Sequence, residues 1–214
     1  MRFPAPGRPG WIAAALAATA ATATAIAIAI AIGVGGLAPP WIEAGRGPAV
    51  GAADGELAAE VLRRYGGMKR VLFPGQPEIS VAEWVARPRG RPAVLVDVRE
   101  PQERQVSMLP GAISRQDFER DSARYRSWLV VPYCTIGLRS GLYTRKLRGQ
   151  GFEARNLAGS VLAWAHGGLP FEAAGKPTTR VHVFSAAWNL LPRGYEPVVS
   201  DSPPRPGGSE EAPP

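Results

Sequence analysis

The stretch Val131-Pro-Tyr-Cys134-Thr-Ile-Gly137-Leu-Arg139-Ser140 combines residue types and spacing that can do chemistry. An apolar run, Trp128-Leu-Val-Val131, reads as a strand leading to Cys134. The positions of Leu142, Leu147 and Phe152 predict a helix from about Leu138 to Arg148, closed by Gly149 or Gly151. A short loop between a strand and a helix N-terminus aims several backbone N–H groups inward, making an anion-binding nest that the helix dipole reinforces. A thiol at the base of such a nest sits in positive potential, so its thiolate is favoured and its pKa falls below the free value of about 8.5. Nucleophilicity follows. Gly137 permits the positive φ that tight loops require, the fork of Arg139 can clamp two anionic oxygens, and Ser140 can cap the helix or donate to a bound anion.

The elements that must position this loop follow a repeating pattern. Ala93-Val-Leu-Val-Asp-Val98 is a continuous apolar run with one acid inside it, as in a buried parallel strand that ends near functional groups. Polar, helix-compatible segments around Pro101 to Arg104 and Phe118 to Tyr125 separate it from the strand before Cys134. Strand-like Glu153 to Leu157 and helix-like Ser160 to Ala165 come after. Upstream, Asp54 caps a short helix carrying Leu57, Val61 and Leu62 that Gly66-Gly67 is expected to stop, and Ser80-Val-Ala-Glu83 is a capping box. Strands alternating with helices imply a parallel α/β sheet. Thr179 to Phe184 reads as an added strand, and Trp188 to Val199 as an ordered extension covering part of the domain.

Length and composition bound the rest. The chain has 214 residues, 25 Gly, 22 Pro and one cysteine. No internal disulfide, and no zinc or iron–sulfur site built from cysteines of one chain, is therefore available. The histidines, His166 and His182, lack a second histidine or a carboxylate at ligand spacing, so no metal and no cofactor are expected. The net charge of +7 resides in the middle of the chain but is scattered, with Arg87-Pro-Arg89-Gly-Arg91 its one local cluster and no interleaved aromatics. Nucleic acid is not an expected partner. Arg145, Lys146 and Arg148 read as solvent-facing charges that stabilise a helix end.

Residues 11–38 contain no charge, a run longer than the ~20 apolar residues a membrane helix needs. Trp11 and Trp41 bracket it, and about 30 helical residues at ~1.5 Å each cover about 45 Å. The Ala/Ile alternation of Ala25 to Ile32 suggests a strand, but a lone strand in lipid leaves its backbone unpaired, so helix is expected. Arg2 and Arg8 precede the run and Arg46 follows it, which places the N-terminus inside and the remaining chain on the exported side. The competing reading is a signal peptide cleaved near Gly36 and Ala38, with secretion of the rest. The resulting map is a short segment 1–10, the membrane or signal helix 11–38, a linker and lead-in helix 39–77, an α/β domain 78–174, an extension 175–199, and a disordered tail 200–214 rich in Pro, Gly, Ser and acid.

The order Cys134-x-x-Gly-x-Arg-Ser140, preceded by Val94-Leu-Val-Asp97-Val-Arg99-Glu100-Pro101 and Leu109-Pro-Gly-Ala-Ile113, resembles the rhodanese-like sulfurtransferase domain. Gly151-Phe152, Asn156-Leu157-Ala-Gly159, Ala163-Trp164 and Gly168-Leu-Pro170 extend the resemblance over about residues 78–174. It implies a three-layer α/β domain around a parallel sheet, whose cysteine takes up sulfane sulfur as a persulfide and passes it on. Carried over by position, Cys134 is the catalytic nucleophile, and Thr135, Ile136, Gly137, Leu138, Arg139 and Ser140 form the substrate cradle. Asp97 and Arg99 match a strand-end acid and base that brace the loop, beside the plainer readings of a helix cap and a structural ion pair. Cys134 and Arg139 enclose four residues, as in sulfurtransferases. Phosphatases related by fold enclose five, which disfavours a hydrolase or reductase acting on phosphate or arsenate.

The sequence departs from the family pattern at Met108, where a histidine is usual, at Pro132 inside an expected central strand, and in the extension beyond Lys176. The function expected is transfer of sulfane sulfur from thiosulfate or a persulfide donor, through Cys134, to a thiol, protein or other thiophilic acceptor. The alternative is a membrane-anchored binding or regulatory module without catalysis.

Overall fold

The computed structural model describes residues 54–199. The expected membrane or signal segment 11–38 and the tail 200–214 lie outside the described residues. Among the described residues no helix is long and apolar enough to cross a membrane.

Helix α1 spans Gly55–Leu72 and runs straight through Gly66-Gly67, contrary to the expected stop. Two glycines cost about 1 kcal/mol each in a helix interior. Packing outweighs that: Val61 and Tyr65 are buried against the domain, and Glu60 pairs with Arg63 and Arg64 at 2.6 Å. Asp54 stands at the cap position but makes no cap; its carboxylate accepts the Arg193 N–H at 3.2 Å instead. Next come β1 (Glu78–Ile79), α2 (Val81–Ala86) with its Ser80/Glu83 capping box, β2 (Ala93–Asp97), α3 (Pro101–Val106), β3 (Ile113–Ser114) and α4 (Arg115–Arg120). After a 3-10 turn follow β4 (Leu129–Tyr133), α5 (Leu138–Gly149), β5 (Asn156–Leu157) and α6 (Ser160–His166).

The strands lie parallel. β4 pairs with β2 in unbroken register, Ala93 opposite Leu129 through Asp97 opposite Tyr133, and β2 pairs with β3. β1 pairs with β5, and a single parallel bridge between Val130 and Ala154 joins this pair to β4. Pro132 explains why the join is so short. Leu129 donates its N–H toward β2, to Pro92 O, and Val130 donates to the other side, to Glu153 O. By the two-residue period of a strand, the nitrogen of Pro132 faces the Glu153 side, where it has no proton to give. The ladder opens there without any bulge in β4.

Alternation along β2 and β4 divides the core between the two faces of the sheet. Leu95, Val131 and Tyr133 pack with Val61, Trp84, Val161 and Trp164 of α1, α2 and α6. Val94, Val96 and Val130 pack with Phe118, Leu147 and Phe152 on the side of α4 and α5. Three layers result, and β4 delivers Cys134 at its C-terminal end.

The segment after α6 is ordered. β6 (Phe171–Ala173) and β7 (Lys176–Thr178) form a hairpin that straddles the expected boundary at residue 174. Met108 exchanges both backbone hydrogen bonds with Glu172 of that hairpin. β8 (Arg180–His182) pairs with β9 (Glu196–Val198), and Leu190, Leu191 and Tyr195 of the intervening turn are buried in the core.

Candidate active site

Cys134 occupies the first position after β4, and α5 begins four residues later. The loop is pinned from several sides. Ser160 Oγ accepts the Cys134 N–H at 3.2 Å, while Val161 and Leu162 in the first turn of α6 donate to the carbonyls of Cys134 and Thr135. Asn156 Nδ2 donates to Gly137 O at 2.9 Å and to Tyr65 Oη at 3.2 Å, and the Tyr65 hydroxyl donates to Glu78 at 2.7 Å. Gly137 has φ of +109°, and a Cβ there would lie 2.7 Å from the Tyr65 ring. Helix α1, outside the resemblance, thus packs directly on the loop.

The sulfur is the focus of these donors. The Gly137 N–H points at Cys134 Sγ over 3.2 Å, and the Ser140 hydroxyl over 3.6 Å. Ser140 therefore does not cap α5, whose cap position is Gly137; it sits one turn in, fully buried, behind the thiol. Burial by itself pushes the thiol pKa up. The charge of Arg139 and the hydrogen bonds from Ser140 and Gly137 outweigh it, and the thiol is held below its ordinary value.

Arg139 is placed differently from the expectation of a free clamp. Its guanidinium holds the carboxylate of Glu103, at 2.5 Å and 2.8 Å, and reaches Thr135 Oγ1 at 3.3 Å. The reason is desolvation: a half-buried guanidinium needs a counter-charge, and the N-terminal turn of α3 supplies one. Burial raises the Glu103 carboxyl, but the hydrogen bonds and charge of Arg139 and the Glu100 amide prevail and hold it far below the usual carboxylate range. Thr135 also donates to Glu103, at 3.3 Å. His182 is buried rather than isolated, with Nδ1 3.5 Å from Glu103 Oε1 and accepting the Phe184 N–H at 3.1 Å.

Asp97 and Arg99 lie beneath the loop. Both are fully buried and joined at 2.7 Å, and Arg99 also donates to Ser107 O at 2.6 Å. The Arg99 guanidinium stands 5.6 Å from the centre of the Tyr133 ring, and the Tyr133 hydroxyl accepts the Leu109 N–H. The pair braces the residue before Cys134 and does not line the cavity above the thiol.

That cavity has a volume of about 150 Å³. From the cradle, Cys134, Thr135, Ile136, Leu138 and Arg139 line it; Met68 of α1 and Phe184 and Trp188 of the extension complete it. Gly137 and Ser140 stand behind the sulfur. Glu103, Met68, Phe184 and Trp188 escape a reading by motif. For Glu103 a usable signal exists, an acid two residues into the helix that follows the Asp97–Arg99 strand end. The other three belong to segments flanking the resemblance, where no spacing marks them.

Residues 81–166 match the family model of the rhodanese-like domain. A tRNA sulfurtransferase of Desulfurococcus amylolyticus is 35% identical over 117 residues, which is 52% of this chain and 24% of that protein. The chain thus spans about a quarter of the length of that relative. Among solved structures, a rhodanese-like domain protein of Staphylococcus aureus is 25% identical, covering 46% of this chain and 98% of its own, with a TM-score of 0.39. A thiosulfate sulfurtransferase of Pseudomonas aeruginosa is 20% identical over 57% of this chain and 24% of its own, with a TM-score of 0.40.

Proposed function

We propose that this chain, whose residues 81–166 are a rhodanese-like domain, is a sulfurtransferase that carries sulfane sulfur on Cys134. The observation that carries the reading is the sulfur of Cys134 receiving the Gly137 N–H and the Ser140 hydroxyl beside the cation of Arg139, at the floor of a cavity. With thiosulfate as donor, the Cys134 thiolate attacks the outer sulfur. A new S–S bond forms, the S–S bond of thiosulfate breaks, and sulfite leaves with the electron pair. A thiophilic acceptor, such as cyanide, a small thiol or a protein cysteine, then attacks the outer sulfur of the persulfide and releases the Cys134 thiolate. The loop amides hold the negative charge of thiolate and persulfide through both steps.

Residues 11–38 are proposed to tether this domain to a membrane, with the domain on the exported side; the uncharged 28-residue run supports the tether and the basic N-terminus the orientation. Detergent-dependent fractionation of the full chain tests it, and release of the protein in alkaline wash argues for the cleaved, secreted form.

Mass spectrometry after thiosulfate treatment tests the transfer. The intact protein should gain the mass of one sulfur atom on Cys134, and Cys134→Ser should gain none. A binding module without chemistry shows no adduct, and its partner binding survives Cys134→Ser.

A further inference from the structure

The wall of the cavity over Cys134 is made by segments outside residues 81–166, and it is apolar: Met68, Phe184 and Trp188 join Ile136 and Leu138. This wall is fastened down. Arg64 of α1 donates to Ala187 O at 2.9 Å and stands 5.3 Å from the centre of the Trp188 ring. Phe184 is held in the left-handed region, with φ of +67°, an arrangement that is strained for a bulky residue and that clusters at functional positions. Its amide is tied to His182 Nδ1, the residue is 36% exposed, and its ring centre lies 5.6 Å from the Arg139 guanidinium.

The charge at the cavity is already matched. Arg139, its lining cation, holds Glu103 with two hydrogen bonds, so a small dianion entering here must compete with a buried carboxylate. An uncharged group meets no such competition. An apolar cavity of about 150 Å³ is the size that takes a benzene ring.

Resting on the sulfur-transfer reading above, we infer that the site selects donors whose sulfane sulfur is carried by an aryl or branched-alkyl group, in preference to small inorganic anions. An aryl persulfide or an aryl thiosulfonate has this chemistry. For the thiosulfonate, the Cys134 thiolate attacks the terminal sulfur, the S–S(O₂) bond breaks, and the aryl sulfinate leaves with the electron pair. Two anions give two anions, and no oxidant or reductant is needed. The ring stays in the apolar hollow while the sulfinate forms beside Arg139.

The test compares benzenethiosulfonate, methanethiosulfonate and thiosulfate as donors to the full chain, reading persulfide formation on Cys134 by mass spectrometry under single-turnover conditions. Benzenethiosulfonate should load Cys134 at least about tenfold faster than methanethiosulfonate, equivalent to roughly 1.4 kcal/mol. Phe184→Gly removes the ring yet suits the left-handed backbone, so the fold is kept, and the aryl-to-methyl ratio should fall toward one. Trp188→Ala should lower the same ratio. Equal loading by all three donors, or faster loading by thiosulfate, overturns this inference and leaves sulfur transfer standing. A Cys134 that takes sulfur from none of the three overturns both.

Discussion

Gly137→Ala is the substitution whose consequence the geometry specifies most fully. The new Cβ would stand 2.7 Å from Tyr65 Cε2 and 2.8 Å from Cδ2, distances at which a ring must move, and φ of +109° is closed to alanine. The backbone conflict costs about 1–2 kcal/mol. Displacing Tyr65 weakens its hydroxyl bonds to Glu78 and Asn156, about 1 kcal/mol each. A total of about 3–4 kcal/mol is expected, a large part of the ~5–15 kcal/mol typical of a domain. Gly67→Ala is the matched control: nothing lies within 4 Å of its Cβ, the position is helical, and it should stabilise by about 0.5–1 kcal/mol. Urea denaturation gives both differences from the midpoints at constant slope. The same Gly137→Ala protein should also alkylate Cys134 more slowly at neutral pH, because the N–H aimed at the sulfur is displaced. If Gly137→Ala unfolds within 1 kcal/mol of Gly67→Ala, the proposed packing of α1 on the loop is wrong.

Arg139→Gln should move the titration midpoint of Cys134 upward and lower its alkylation rate at pH 6–7 by about tenfold or more, roughly 1.4 kcal/mol, read from a pH–rate profile. The same change strands the buried Glu103 carboxylate and should destabilise by about 3–5 kcal/mol, measured by denaturation at pH 7. Glu103 is held below its unfolded pKa of about 4.3, so its stabilising contribution is present above that pH and is lost as pH falls through the folded value. Glu103→Gln should accordingly flatten the loss of stability below about pH 4, as followed by denaturation midpoints across that range. Asp97→Asn leaves the Arg99 guanidinium fully buried without its counter-charge and should destabilise by about 3–5 kcal/mol in the same assay.

The parts legible in the sequence are those carried by local spacing. The Ala93 and Trp128 apolar runs, the glycine that turns into α5, and the capping box at Ser80 each announce themselves within a few residues, and they bring Cys134 to a helix N-terminus. The parts not legible are long-range. Glu103 meets Arg139 across 36 residues, and Tyr65 reaches Asn156 across 91, distances at which no periodicity operates. Gly66-Gly67 misleads because a docked helix face overrides local propensity. Pro132 is tolerated for a reason only topology supplies: its nitrogen faces away from β2, so the β2–β4 register runs through it unbroken and the loss falls on the short join beyond Val130.

The central claim is that Cys134 ionises readily in its loop. With one cysteine in the chain, thiolate absorbance against pH reports this residue alone. A midpoint below the free-thiol value of about 8.5 is expected, rising in Arg139→Gln. A midpoint at or above that value, unmoved by the substitution, contradicts the assignment of Cys134 as the nucleophile.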